Sequence, residues 1–255
     1  MSDLSRRLLA EFVGTAALVA VVIGSGIAAQ QLSPDNVGLQ LLENSTATVF
    51  GLGVLILVFG PISGAHFNPV VSAADWLAAR RRGTGLPLPE VGAYTVAQIA
   101  GGIAGAVLAN LMFDLSALQI STHHRITSGH LLGEVVATAG LTAVIFALAR
   151  SGRAPLSAAA VAAYIGTAYW FTSSTSFANP AVTIGRIFSD TFAGIAPTSA
   201  PAFIAAQILG APLGLTLIGL LYPDTADTAD AADNFVVPTP TPNTNPSPTP
   251  AAHND

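Results

Sequence analysis

No cysteine and no lysine occur in this chain of 255 residues, and only 9% of its residues carry charge. The missing cysteines exclude disulfides, thiolate metal sites and cysteine nucleophiles. The missing lysines leave arginine as the only strongly basic residue. A formal net charge of -5 at pH 7 is mild, lies largely in the C-terminal stretch and gives no basis for a nucleic-acid partner. Apolar residues are what the chain has in plenty. They make up 51% of it, and the mean hydropathy is positive, too high for a soluble domain of this size. A home in the lipid bilayer follows. The opening "MSDLSRRLLAEF" is basic, but it runs on too long and lacks a small-residue cleavage site, so it is expected to be a first span rather than a cleaved signal.

Windows of about 20 apolar residues predict six spans, at 8–29, 39–59, 91–112, 131–149, 156–171 and 200–221. Two apolar segments remain, 68–79 and 179–189, each opening with Asn-Pro. Asn is a good N-cap and Pro suits the first helical position, so both read as helix starts. At about 1.5 Å per residue, a helix of about 12 residues covers roughly 18 Å of a hydrocarbon core about 30 Å thick. Each is expected to enter the membrane without crossing it.

The chain also repeats itself. "AEFVGTAAL" from Ala10 returns as "GEVVATAGL" from Gly133, "FNPVV" from Phe67 as "ANPAV" from Ala178, and "AQIAGGIAG" from Ala97 as "AQILGAPLG" from Ala206. Each half holds three spans, so the second copy must lie upside down, as in inverted-repeat transport proteins. The predicted organisation is a channel domain over 1–222, with repeats at about 8–114 and 131–222. The acidic, then Pro- and Thr-rich stretch 223–255 is expected to be a disordered cytoplasmic tail.

Arginine placement predicts the orientation: Arg6, Arg7, Arg80, Arg81, Arg82, Arg150 and Arg153 inside, Arg125 and Arg186 outside. That reading puts both termini in the cytoplasm and the protein in the cell (inner) membrane. Inversion then brings the starts of the two half-helices, at Asn68 and Asn179, together near the midplane. Their positive dipole ends would repel cations and protons, while the Asn amides aim donors into the lumen.

The paired "HFNPVV" and "FANPAV" boxes, the repeated Glu on spans one and four, and the repeated "AQ" with its following glycines resemble the major intrinsic protein family, the aquaporins and aquaglyceroporins. The resemblance runs from residue 8 to about 222. It implies an all-α membrane fold of six tilted helices plus two re-entrant half-helices, one pore per subunit, and usually a homotetramer. It further implies passive conduction of water or small uncharged solutes, with no cofactor and no enzymatic activity. Within the family's pattern Asn68, Pro69 and Val70 form the first box and Asn179, Pro180 and Ala181 the second, and Glu11 and Glu134 brace the re-entrant loops. Val70 stands where the family usually has Ala, and either narrows the inner half of the pore or packs against a neighbour. Gly101 with Gly105, and Gly210 with Gly214, are small-xxx-small pairs suited to close helix approach, and Gln98 and Gln207 are expected to bond across helices.

The informative departure lies three residues after the second Asn, where water and glycerol channels of the family carry arginine and this chain has Val182. Carried over by offset, the companion filter positions are Thr48, Thr167 and Ser176, a one-residue shift substituting Gly166 or Ala168 for Thr167. Such a filter is small, moderately polar and wider than a strict water pore. Losing the arginine removes a fixed charge and several N–H donors, so selection by size outlasts selection by hydrogen bonding. Glycerol, or uncharged metalloid acids such as arsenous acid, would suit it, and small filter residues with Val for Arg resemble a bacterial branch associated with arsenic detoxification. The absence of cysteine, which trivalent arsenic would trap, is compatible with that.

Arg186, four residues after Val182, either restores positive charge farther out or serves as an exposed anchor. His66 is expected to line the cytoplasmic vestibule, as a structural histidine or a titrating one. His123, His124 and His130 share a loop, but their spacing matches no defined metal site. The alternatives are a water-selective pore and, from other classes, a secondary transporter or an intramembrane enzyme. The transporter would need ion-coupling carboxylates at its binding site, and the enzyme a nucleophile and base on facing helices.

Overall fold

The computed structural model describes residues 1–80 and 85–222; Arg81, Arg82 and the tail from 223 onward lie outside the described residues. Within that range the chain is all α-helical. The long helices are α1 (Asp3–Leu32), α2 (Val37–Ser63), α4 (Leu88–Met112), α5 (Ser128–Arg150), α6 (Ser157–Phe171) and α8 (Ala200–Leu221), with short α3 (Pro69–Ala79) and α7 (Pro180–Gly185) between them. Five of these helices are long and apolar enough to cross a membrane. The sixth, α6, has 15 residues and is preceded by a 3-10 turn, Ala154–Leu156, that lengthens it.

Local chemistry sets the helix ends. Ser2, Asn36 and Thr127 accept hydrogen bonds from Ser5, Leu39 and His130 backbone N–H groups, capping α1, α2 and α5. At the other end of α2, Gly64 takes a left-handed conformation (φ 87°), which turns the chain back toward the molecule's middle. The second half-helix is shorter than the sequence suggests. It is α-helical for only six residues and then tightens into a 3-10 turn, Arg186–Phe188.

In the first half α1 packs on α4 and α2, in the second α5 packs on α8 and α6, and α2 meets α6 across the join. The tightest approaches use the predicted glycine pairs. A Cβ on Gly101 or Gly105 would strike the Phe12 or Ala16 carbonyl of α1, and one on Gly210 or Gly214 would strike the Val135 or Ala139 carbonyl of α5. These four contacts occupy equivalent places in the two halves, which ties the sequence repeat to the packing. Exposed Phe50, Val54, Leu57, Trp170, Leu213 and Leu217 leave the outside of the bundle apolar, as a surface facing lipid requires.

Candidate pore and its constriction

The two half-helices begin beside one another, held by a pair of crossed hydrogen bonds. Asn68 caps α3 by accepting from Val70 N (3.0 Å), and its Nδ2 donates to the Ala178 carbonyl (2.8 Å). Asn179 caps α7 by accepting from Ala181 N (2.9 Å) and Val182 N (3.2 Å), and its Nδ2 donates to the Phe67 carbonyl (2.7 Å). Each amide therefore spends one N–H on the opposite loop and keeps one for the space between. Pro69 and Pro180 fill the first helical positions, where a missing N–H costs nothing.

The loops leading into these starts are strained in the same way. Ala65, Phe67, Ser176 and Ala178 all have left-handed φ angles of 48–52°, unfavourable for residues with a Cβ. Two buried carboxylates hold them there. Glu11 accepts from the backbone N–H groups of His66 (3.0 Å) and Phe67 (2.7 Å), the Ser63 hydroxyl (2.6 Å) and Gln98 Nε2 (2.7 Å). Glu134 accepts from Phe177 N (2.8 Å), Ala178 N (2.8 Å) and Gln207 Nε2 (2.6 Å).

A cavity of about 80 Å³ runs past both Asn residues. It is roomy enough for a short file of waters, one of which needs about 10–15 Å³ by the same kind of measure. Its wall is built from stripes stepping by four residues: Leu18 and Val22 on α1, Thr48, Leu52 and Ile56 on α2, Leu141 and Ile145 on α5, and Ser157, Val161, Ile165 and Tyr169 on α6. Val71, Val182, Ser176, His66 and Arg186 complete it.

Two sequence expectations change here, and one open alternative closes. Thr167 lies on the outside of α6, exposed, its hydroxyl donating to the Ala163 carbonyl, and does not line the cavity. Two residues along an α-helix is about 200° of rotation, so when Tyr169 faces the cavity Thr167 faces away. Gly166 and Ala168, the shifted alternatives, are buried but do not line it either. Of the two readings of Val70 the structure shows the packed one: it is buried against the protein, and its neighbour Val71 takes the wall position. The anchor reading of Arg186 also gives way, since the residue is only 3% exposed and faces the cavity.

The profile of the major intrinsic protein family matches residues 1–176. An aquaglyceroporin, AqpS, of Rhizobium meliloti (strain 1021) is 48% identical over 216 residues, covering 85% of this chain and 90% of its own. A glycerol uptake facilitator protein of Pseudomonas aeruginosa is 32% identical, covering 88% of this chain and 93% of its own. The chain belongs to the major intrinsic protein family. It is accordingly an integral membrane protein. A solved aquaglyceroporin from Plasmodium falciparum shares its fold, with a TM-score of 0.61 over 89% of this chain and 99% of that one at 20% identity.

Several working residues of this major intrinsic protein escaped the sequence reading. Ser72 and Thr183, each four residues after its Asn, receive Gln98 Nε2 (3.1 Å) and Gln207 Nε2 (2.9 Å), and each lies within hydrogen-bond reach of its own Asn carbonyl. They link the carboxylates to the half-helix starts. Tyr169 was legible as the end of the four-residue stripe Ser157, Val161, Ile165. Its hydroxyl sits 3.3 Å from that of Thr48. The three loop histidines do not converge with acidic partners into a group able to hold a metal among the described residues.

Proposed function

We propose that this channel passes small, flexible, uncharged solutes of the glycerol or arsenous acid type, with water as a co-permeant. The observation that carries the proposal is the aliphatic wall of the constriction, with Val182 at the position where the resemblance expects arginine. Apolar residues line most of the cavity, and the polar groups along it are the two Asn amides, the loop backbone, a few hydroxyls, His66 and Arg186. Such a surface accommodates CH groups on one side and hydroxyls on the other. The relatives named aquaglyceroporin and glycerol uptake facilitator support the same class.

On this reading the positive ends of α3 and α7 exclude cations, and Glu11 and Glu134 brace the loops without carrying protons. The assembly is a homotetramer in the cell (inner) membrane. Both termini face the cytoplasm, with the His66 mouth inside and the Arg186 mouth outside. The channel domain spans 1–222.

Proteoliposome uptake of arsenous acid and of glycerol, measured against solute concentration, tests the class. A channel gives flux that rises linearly with concentration. Saturation at modest concentrations would mean a carrier, and uptake of neither solute beside rapid water flow would mean a water-selective pore.

A further inference from the structure

Val182 leaves one wall of the constriction without a donor, yet two polar groups beside it keep hydrogen-bonding capacity that the protein does not use. Ser176 is 3% exposed and lines the cavity, and its hydroxyl makes no hydrogen bond among the described residues. Arg186 is equally buried and lines the same cavity. Its Nε donates to the Ala193 carbonyl, and its guanidinium carbon stacks 3.4 Å from the centroid of the Phe177 ring. Those two contacts fix the guanidinium plane. They leave both terminal nitrogens without an acceptor among the described residues. A buried hydroxyl without a partner and a buried guanidinium with two open nitrogens are costly in a dry interior, and far less so where a passing molecule or water completes them.

The two halves differ at these positions. The residue three before Asn68 is Ala65, where the second half has Ser176, and the residue seven after Asn68 is Asp75, where the second half has Arg186. Asp75 is engaged by the protein, its carboxylate accepting from Leu86 N at 2.7 Å. The unpaired groups therefore belong to one mouth alone. Tyr169 adds an acceptor there. The Thr48 hydroxyl donates to the Asn44 carbonyl (2.9 Å), so Tyr169 O–H donates to Thr48 and its own oxygen remains open on the cavity side.

We propose that Arg186, with Ser176, forms the polar half of the constriction that position 182 does not supply, and that the pair selects solutes carrying neighbouring hydroxyl groups. The inference rests on the neutral-solute reading above and names the groups that choose among such solutes. A guanidinium presents parallel N–H donors in a fixed plane, suited to two adjacent hydroxyl oxygens. Ser176 and Tyr169 exchange hydrogen bonds with the hydroxyl protons, while Val182 and Ile165 meet the carbon side of the same molecule.

Stopped-flow light scattering on proteoliposomes, reading glycerol and water permeability for each protein, tests this. Ser176→Ala is structurally safe, because Ala65 and Ala178 already hold φ 49° in the same motif and the hydroxyl has no partner to abandon. It should lower the glycerol-to-water permeability ratio about fivefold, the worth of one neutral hydrogen bond. Arg186→Gln should lower the ratio about tenfold, since its bonds are charge-assisted. An unchanged ratio in both variants, with water flow intact, overturns the inference. If Arg186→Gln yields no water flow, the protein has misfolded and Ser176→Ala decides alone. Wild-type vesicles that pass no glycerol at all would overturn the neutral-solute reading itself, and this inference with it.

Discussion

Asn68 and Asn179 each donate a hydrogen bond to the loop carbonyl that leads into the other's helix, at 2.8 and 2.7 Å. Two re-entrant segments that enter from opposite faces are thereby tied at their meeting point. Replacing Asn68 by Ala removes the α3 cap, worth about 1 kcal/mol, and the crossed bond, worth about 1 kcal/mol more. Asn179→Ala should cost a similar amount, because the pattern is reciprocal. Thermal unfolding in detergent should show both variants destabilised by comparable shifts.

The carboxylates carry more. Glu134→Gln turns one acceptor oxygen into a donor that must face Phe177 N, Ala178 N or Gln207, a cost of about 1–3 kcal/mol for a buried mismatch. Glu11→Gln disturbs a larger set, including the Ser63 hydroxyl and His66 N. The expected order of melting temperature is wild type, then Glu134→Gln, then Glu11→Gln.

Tyr169 and Thr167 separate the observed lining from the predicted one. Tyr169→Ala should open the constriction and admit longer linear polyols, seen as faster reswelling in five-carbon alditols. Thr167→Ala removes an exposed hydroxyl bonded only within its own helix and should leave every flux unchanged. The reverse pattern would restore Thr167 to the filter.

Glycine at 105 and 214 is set by a carbonyl of the facing helix. Gly105→Leu and Gly214→Leu should each force the helices apart and abolish a monodisperse peak on size-exclusion chromatography. Gly219→Ala serves as the control, since a Cβ there meets nothing.

One loop contact is pH-sensitive. The Asp190 carboxylate is held below its usual range, first by the Thr122 backbone N–H, then by the Thr122 hydroxyl and nearby His123, against an opposing effect of burial. Because the folded value is the lower one, the stabilisation is complete above the ordinary Asp range of about 3.9 and fades as pH falls through the depressed value. The group is exposed, so the effect is small and local. Protection of the Thr122 and Asp190 amides from hydrogen exchange, corrected for the intrinsic pH dependence of exchange, should fall as the pH drops below about 4. Asp190→Asn should flatten that dependence.

Much of this architecture was legible because it is written twice. The echoes around Glu11 and Glu134, the two Asn-Pro boxes and the two glycine pairs fix spans, inversion and half-helices without a three-dimensional clue. Offsets carried over in regular segments put Thr48 and Val182 on the cavity wall. Position 167 failed because span five is short and apolar all round, so hydrophobicity alone does not say which side faces the cavity. The length of α7 was hidden for a related reason, since a 3-10 turn leaves no mark in an apolar run. Ser72 and Thr183 went unnoticed because a hydroxyl in a helix carries no signal until its partner is seen.

The central claim is a pore wide and apolar enough at Val182 to pass an uncharged polyol. Proteoliposomes of the wild-type protein and of Val182→Arg, subjected to a hyperosmotic glycerol step and followed by light scattering, test it directly. Fast shrinkage and then fast reswelling in the wild type, with the reswelling suppressed by Val182→Arg, is the predicted result. Shrinkage without reswelling in the wild type, or reswelling indifferent to Val182→Arg, would contradict it.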